Sequence, residues 1–178
     1  MAAPVLTRER IYERHNTPVS LVGLTHDLNT RSYLSGFADG EGCFCVSVNR
    51  SSRHRFGWEI RPSFSVSQNA DRAEVLELFQ RILGCGSIRP DRSDKTLKFE
   101  VRSVPDLATK VLPHFERSPI VSSKRKDFEI FATIVRLMHD RRHLEAEGAA
   151  SILHLASRLN SGGKKKFDRD TIRPKTNV

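Results

Sequence analysis

Two carboxylates flank a glycine at Asp39, Gly40 and Glu41, close to the end of a predicted helix. Carboxylate oxygens are ligands that hard cations such as Mg²⁺ prefer, so these residue types suit metal-assisted chemistry. Small residues recur every four positions at Ser32, Gly36 and Gly40, which places them on one stripe of that helix. Such a stripe lets two helix backbones approach closely. The alternative is a chance helix glycine at position 36, which would cost about 1 kcal/mol relative to Ala.

The thiols and imidazoles of the chain do not form a recognisable metal-binding pattern. The three cysteines, Cys43, Cys45 and Cys85, are odd in number and contain no C-x-x-C, so neither a disulfide framework nor a structural zinc site is predicted. His139 and His143 are four residues apart on a predicted helix and could share a face. Because no further ligand lies next to them in sequence, we expect a solvated helix face rather than a zinc site.

The charge balance favours a polyanionic partner. The 178 residues include 30 Lys and Arg against 21 Asp and Glu, a formal net charge of +9. Neutralising phosphates with such cations releases condensed counterions, so nucleic acid and an anionic membrane surface both fit. No apolar run approaches the roughly 20 residues of a membrane-spanning helix. The first residues also lack the order of regions of a signal peptide, so we expect a soluble intracellular protein without a membrane partner.

Hydrophobic periodicity predicts one domain between two less regular ends. We expect an N-terminal arm over 1–26, a domain over 27–160 and a basic, flexible tail over 161–178. The domain begins with a helix that ends at the glycines 40 and 42, and this helix leads into alternating strands. The remaining predicted elements are strands over 43–49 and 58–66, a helix over 70–83, strands near 88 and over 96–102 joined by a turn over 90–94, and helices over 104–115, 124–141 and roughly 143–160.

This order, α-β-β-α-β-β-α with extra C-terminal helices, predicts an α+β fold with a four-stranded antiparallel sheet. The apolar strand residues must face covering helices, which leaves the other face open. A two-stranded ribbon fits the DNA major groove, where hydrogen-bonding side chains read base edges. The alternative is an ordinary solvated sheet face. The outward residues that we expect to contact DNA are Ser47, Asn49, Glu59, Arg61, Ser63, Ser65, Arg89, Asp91, Thr96, Lys98 and Glu100.

The segment 34–42, which reads LSGFADGEG, resembles the LAGLIDADG motif of a homing endonuclease family. It keeps the Leu, the first Gly, the hydrophobic pair, both acidic positions and the final Gly, and it ends a predicted helix and opens a strand. The resemblance covers about residues 27–141. Family members with one motif supply half of a cutting centre, so the resemblance implies a homodimer with a near-palindromic double-stranded DNA target. In the family two motif helices pack together, which places Ser32, Gly36, Asp39 and Gly40 at the dimer interface.

The resemblance also implies the metal ligands. Glu41 occupies the second acidic position, which binds the catalytic cation in the family, and the carbonyl of Gly40 is expected to add a second oxygen. Mg²⁺ is the expected cofactor, with another divalent cation such as Mn²⁺ as the alternative. The motif usually has Asp where this chain has Glu41, and the extra methylene moves the carboxylate. Asp39 is expected to hold the end of the helix.

Three further residues match catalytic positions of the family. Gln68, at the end of the second predicted strand, matches a residue that positions water, and Arg72 matches a basic partner four residues later. Lys124, at the start of a later helix, matches an active-site lysine. The alternatives are a strand-end cap, a helix-surface charge and a solvated helix end. A cation at a helix start opposes the helix dipole, so Lys124, Arg125 and Lys126 together are expected to have an anion nearby.

The resemblance implies a site-specific, metal-dependent endonuclease that hydrolyses phosphodiesters in DNA and promotes intron mobility. It also implies residence in a bacterial cytoplasm or in an organelle that carries the host intron. Some proteins of the family are intron-splicing RNA maturases, so intron RNA is a possible partner, and a non-cutting DNA-binding regulator is a third alternative. A non-cutting relative can lose Glu41, Gln68 and Lys124, and all three are present here.

Overall fold

The first described helix leads directly into the sheet. The computed structural model describes residues 28–91 and 95–159, and the predicted arm, the predicted tail and residues 92–94 of the predicted turn lie outside this part. Helix α1 (Leu28–Glu41) is followed without a loop by strand β1 (Gly42–Arg50). Only glycine fits at the junction, because a Cβ on Gly42 would lie 2.5 Å from the carbonyl oxygen of Ala38. The glycine thus fixes where the helix stops.

The predicted four-stranded antiparallel sheet is confirmed. It consists of β1, β2 (Trp58–Asn69), β3 (Ser87–Pro90) and β4 (Thr96–Val101), in the order β1-β2-β4-β3. In the register of β1 and β2, Gly42 lies opposite Val66. This register places the end of α1 at the edge strand β1, beside the last residues of β2.

Helices cover one face of the sheet. A 3-10 turn (Ala70–Arg72) precedes α2 (Glu74–Leu83), and α3 runs through three segments, Val104–Asp106, a π-helical Leu107–Val111 and Leu112–Arg117. The shift to π-helical bonding precedes Pro113, which has no N–H to donate to the carbonyl four residues back. Helix α4 (Lys124–His139) and, after a 3-10 turn (Arg142–Leu144), α5 (Ala146–Leu159) complete the layer. In the part of the chain that the structure describes, no helix is both long and apolar enough to cross a bilayer.

The core lies between this layer and the sheet. The strand residues that were predicted to face inwards are buried in β1, in β4 and in the middle of β2, while Trp58 and Ile60 at the start of β2 are half-buried. Aromatic rings join the layers, since the ring centre of Phe44 lies 5.2 Å from that of Phe64 and 5.4 Å from that of Phe131. Offset and edge-to-face rings at these distances contribute beyond their buried area. The packing leaves the opposite face of the sheet open, as predicted.

The predicted helix over 124–141 ends earlier than expected. Helix α4 stops at His139, and Arg141 adopts a left-handed backbone conformation with φ 61°. His143 therefore lies in the 3-10 turn beyond the helix, and the expectation that it shares a helix face with His139 is wrong. Among the described residues no group of three or more His, Cys, Asp or Glu side chains could hold a metal ion.

A buried polar cluster ties α1 to α3. Ser35 donates a hydrogen bond to the carbonyl of Ser118 at 2.6 Å, and its oxygen lies 3.3 Å from Nε2 of His114. Because the hydroxyl has one proton, which goes to the carbonyl, the imidazole must donate to the serine oxygen. Within the described part of the chain Nδ1 of His114 has no partner. Burial lowers the pKa of His114 to about 4, so the imidazole is neutral at physiological pH.

We expect this histidine to make the fold sensitive to acid. Its pKa is about 4 when folded, against 6.5 as the ordinary value, so the unfolded chain binds the proton first. The contribution of His114 to the free energy of unfolding is therefore constant above pH 6.5 and falls as the pH drops towards 4, by about 3 kcal/mol in total at about 1.4 kcal/mol per pH unit. Urea unfolding of the wild type and of His114→Gln between pH 8 and 4.5 measures this. An equal pH dependence in the two proteins would exclude His114 as the cause.

Candidate active site and nucleic-acid interface

The carboxylate of Glu41 is exposed where α1 meets the sheet. Gly42 lies opposite Val66, so extending this register by one pair places Ser67 of β2 beside Glu41. Both residues line an open depression of about 340 Å³ on the uncovered face of the sheet. The other lining residues are Cys43, Cys45, Ser47, Asn49, Arg61, Pro62, Ser63, Ser65, Lys98, Glu100 and Arg102. A candidate metal ligand thus lies at the end of a polar surface.

The depression contains most of the predicted DNA-contacting residues. Those that do not line it are Glu59, Arg89, Asp91 and Thr96. Glu59, Arg89 and Thr96 belong to the same open face by their strand register. Asp91 follows β3 and lies 3.5 Å from Lys98 of that face. Ser65 is only 8% exposed, so its hydroxyl lies at the floor of the depression rather than at its surface. The structure therefore brings the predicted set together on one surface, with Ser65 as the least accessible member.

The cations of this open face are paired with neighbouring carboxylates. Arg89 donates to Glu100 at 2.9 and 3.2 Å, and Arg102 forms a second ion pair with the same carboxylate at 2.9 Å. Burial opposes the charge of Glu100, but the hydrogen bonds from these two arginines outweigh it and hold the pKa of Glu100 below its ordinary value. The other pairs are Arg61 with Glu59 at 2.7 Å and Lys98 with Asp91 at 3.5 Å.

Asp39 is committed to a contact within its own chain. Its carboxylate accepts hydrogen bonds from the backbone N–H groups of Val121 and Ser122, at 3.2 and 2.9 Å, and from the hydroxyl of Ser122. The hydroxyl bond of Ser122 is the main reason that the pKa of Asp39 is lowered. Asp39 therefore joins the end of α1 to the segment before α4, rather than capping its own helix alone.

The ammonium of Lys124 lies against the end of α1. It donates to the carbonyls of Ala38, Gly40 and Gly42 at 3.1, 3.2 and 2.9 Å. These carbonyls lie at and just beyond the helix end, which has a partial negative charge, so the ammonium at the start of α4 meets dipoles of favourable sign. The predicted metal-binding carbonyl of Gly40 thus also accepts from Lys124. Lys124 lies beside Glu41 in space although 83 residues separate them.

Gln68 and Arg72 lie near the same end of the sheet. Gln68 is half-buried, and its side-chain oxygen accepts a hydrogen bond from the N–H of Asn69 at 2.8 Å. Arg72 is exposed in the 3-10 turn that follows. The structure shows no hydrogen bond from either residue to Glu41 in the described part of the chain. Their catalytic assignments remain predictions.

The small-residue stripe faces outwards. Ser32, Gly36 and Gly40 are exposed, and a Cβ built on either glycine would meet no atom within 4 Å. Tyr33, which follows Ser32, is 55% exposed, and Val121, whose N–H bonds to Asp39 at the end of α1, is 89% exposed. Packing within the described part of this chain therefore does not require glycine at position 36 or 40.

Sequence reasoning missed a thiol pair on the open face. Cys43 and Cys45 project beside Ser47 and Asn49, and their shared parity was the available signal. A hydrogen bond between the two thiols, helped by Ser47, lowers the pKa of Cys45 to about 6 although burial opposes this. The same hydrogen bond raises the pKa of Cys43. Arg102, which shares Glu100 with Arg89, was also missed.

A model of the LAGLIDADG endonuclease family matches residues 34–135 of the chain. Among curated relatives, "Probable intron-encoded endonuclease 2" of Neurospora crassa is 33% identical over 135 residues, which cover 75% of this chain. DNA endonuclease I-CvuI of Chlorella vulgaris is 27% identical over 144 residues, covering 79% of this chain and 85% of that protein. The chain spans only 30% and 24% of the length of the two Neurospora crassa relatives that it matches.

Solved structures share the fold. The homing endonuclease I-TnaI superposes with a TM-score of 0.69 at 31% identity, over 79% of this chain and 90% of that one. I-SmaMI bound to an uncleaved DNA target in the presence of calcium ions superposes with a TM-score of 0.72 at 28% identity, over 78% of this chain and 47% of that one.

Proposed function

Because the chain belongs to the LAGLIDADG endonuclease family, we propose that it is one subunit of a homodimer that cuts both strands of a long, near-palindromic DNA site. The observation that carries this proposal is the exposed carboxylate of Glu41 at the end of a helix whose stripe of Ser32, Gly36 and Gly40 faces outwards. One chain presents one such carboxylate, and a two-fold axis along α1 would bring two together. A symmetric protein of this kind matches a symmetric target.

The exposed stripe supports the homodimer. A second copy of α1 packed against Ser32, Gly36 and Gly40 would use the absence of side chains at the two glycines. It would also cover Tyr33 and Val121, which are large apolar side chains exposed in the single chain. Contact between the two helices would bring both Glu41 carboxylates to the centre of the joint DNA-facing surface.

The donor atoms at this centre fit a divalent cation such as Mg²⁺ or Mn²⁺. The carboxylate of Glu41 and the carbonyl of Gly40 are hard oxygen donors, which these cations prefer to sulfur or imidazole. The described part of one chain has too few ligands to enclose an ion, so the partner chain and the DNA phosphates would complete the set. When bound, the cation would polarise the phosphoryl oxygen and make water a better nucleophile.

The residues around Glu41 would orient the reacting groups. Lys124 holds the last carbonyls of α1 and so keeps the acid at a fixed height above the sheet. Its ammonium and the guanidinium of Arg72 would stabilise the negative charge that develops on the leaving oxygen. Gln68 would exchange its bond to Asn69 for a water molecule at the scissile phosphate.

A cleavage selection tests this function. Purified full-length chain would be incubated with a randomised palindromic duplex library and Mg²⁺, and the cut ends sequenced, with EDTA as the control for metal dependence. We expect one family of two-fold symmetric sites, each cut on both strands. Tight duplex binding without cuts would instead indicate the non-cutting regulator, and cuts at asymmetric sites would contradict the homodimer.

The names of several relatives describe intron-encoded endonucleases, which supports a role in the mobility of a host intron. The exposed polar face could also bind the intron RNA itself. A splicing assay with the intron that contains the coding sequence distinguishes this role, since a maturase accelerates splicing of the purified RNA and an endonuclease alone does not.

Base preference and overall affinity should depend on different residues. Arg89 lies on the open face, where an arginine can donate to guanine O6 and N7, and removing such an interaction relaxes discrimination by roughly 1–3 kcal/mol. We expect Arg89→Ala to relax preference at one position in each half-site, symmetrically. Cleavage profiles on single-base variants of the selected target measure this, with Arg117→Ala on α3 as the control. An unchanged profile would remove Arg89 from the base-reading surface.

A further inference from the structure

Two loops of the chain meet at the end of the sheet opposite Glu41. The loop between β1 and β2 reaches the turn between α4 and α5, where Nη1 of Arg55 donates to the carbonyl of Leu144 at 3.5 Å. Burial is the main reason that the pKa of His143 lies below its ordinary value, and His54 of the hairpin loop is close enough to lower it further. The hairpin loop and the helix turn therefore form one continuous surface.

This surface carries four exposed arginines. Carboxylates lie beside two of its residues: Arg142 pairs with Glu145 at 2.8 Å, and His54 lies 3.7 Å from Glu59. In the described residues Arg53, Arg55 and Arg141 form no ion pair. We call the following set the distal basic patch: Arg53, His54, Arg55, Arg141, Arg142 and His143. All except the half-buried His143 are exposed.

The backbone at the centre of the patch is unfavourable for the residue it has. Arg141 has φ 61° and ψ 13°, a left-handed conformation in which glycine or asparagine is usual after a helix. The turn is held in this shape by α5, because a Cβ at Gly148 would collide with the carbonyl of Arg142. Arginine thus occupies a position whose backbone conformation glycine adopts more easily. Strain of this kind is tolerated most often at functional sites.

The position of the patch defines what it could contact. Strand β1 runs eight residue steps from Gly42 to Arg50, which is about 26 Å at roughly 3.3 Å per step. A hairpin lying along a duplex with 3.4 Å between base pairs would reach about eight base pairs from the centre of the target. The patch combines the hairpin loop with a turn of the helical layer, so it lies beyond the strands of the open face and would meet the sugar–phosphate backbone rather than base edges.

Resting on the proposed function, we infer that the distal basic patch is a second, sequence-independent contact with the phosphate backbone of the duplex, outside the part that the sheet reads. Each half of the homodimer would grip one flank of the target. The chemistry recognised is a row of phosphates at duplex spacing, for which unpaired arginines are well suited.

Arg141→Gly tests this inference, because it removes the cation and relieves the backbone at once. We expect a melting temperature equal to or above that of the wild type, with several-fold weaker binding to the selected target and to an unrelated duplex alike. The slope of log K against log salt should fall by about 0.9 for each phosphate that the variant no longer neutralises. Base preference in the cleavage profile should not change. Arg81→Ala, which removes an exposed cation from α2, is the matched control and should leave affinity and slope unchanged.

The outcomes separate this inference from the proposed function. A wild type that binds no duplex refutes the proposed function. A wild type that binds and cuts, with unchanged affinity and salt slope in Arg141→Gly, refutes only the patch. A changed base preference would overturn the assignment to the backbone, and a loss of binding to structured RNA but not to duplex DNA would reassign the patch to RNA. Should Arg141→Gly fail to fold, Arg53→Ala in the exposed hairpin loop gives the same readouts.

Discussion

Glu41→Gln is expected to abolish cleavage while leaving DNA binding nearly intact. The amide keeps the size of the side chain but removes the charge that would hold the cation, and no interaction with a base is removed. Losing several kcal/mol of transition-state stabilisation corresponds to a fall in the cleavage rate of about 1,000-fold or more. Removing a negative charge beside phosphates should, if anything, strengthen binding. Single-turnover cleavage of the selected target and a gel-shift titration measure the two effects.

The adjacent acid provides the informative comparison for this variant. Asp39→Asn also replaces a carboxylate by an amide, but Asp39 accepts three hydrogen bonds from Val121 and Ser122. We therefore expect Asp39→Asn to lower the melting temperature and Glu41→Gln to leave it unchanged. Nicking by Glu41→Gln at near the wild-type rate would mean that the metal ligand has been assigned to the wrong residue.

Gly36→Leu is expected to convert the proposed homodimer to a folded monomer. The leucine meets no atom within 4 Å at its Cβ in the single chain, so the chain can accommodate it. Replacing glycine inside a helix even favours α1 by about 0.8–1 kcal/mol. Between two closely packed helices, however, the same side chain leaves no room for the partner backbone. Light scattering at micromolar concentration should give twice the chain mass for the wild type and a single chain mass for the variant.

Arg81→Leu is the control for this substitution, since it adds a leucine to an exposed helix position away from α1. It should remain dimeric and active. Circular dichroism of Gly36→Leu should match that of the wild type, which distinguishes dissociation from unfolding. A Gly36→Leu protein that remains a dimer would show that α1 does not form the interface.

Alternation and helical periodicity predicted most of the fold because they depend on neighbours in sequence. The faces of β1 and β4 followed directly from the period of two, and the glycine-rich junction located the end of α1 within a residue. The end of α4 was missed because Arg141 occupies a left-handed position that usually requires glycine. No residue type in the sequence marks that position as a helix stop.

Hydrophobic periodicity could not predict contacts between residues that are far apart in sequence. The sequence predicted an anion near the cations at the start of α4, whereas the acceptors of Lys124 are backbone carbonyls 82–86 residues away at the end of α1. Asp39 was expected to hold a helix end, yet its main contact, Ser122, is 83 residues away. Parity along a strand indicates which face a residue occupies, and only the fold shows which carboxylate pairs with Arg89.

The ion pairs on the open face would change the free energy of binding a base. Arg89, Arg61 and Lys98 already have carboxylate partners in the free protein. A base that binds one of these cations must therefore replace a carboxylate rather than water, and a base that cannot do so leaves the pair intact and gains nothing. Discrimination on this surface would then be a competition between two partners for one cation. The formal charge of +9 would in turn overstate the number of counterions that the bound protein displaces.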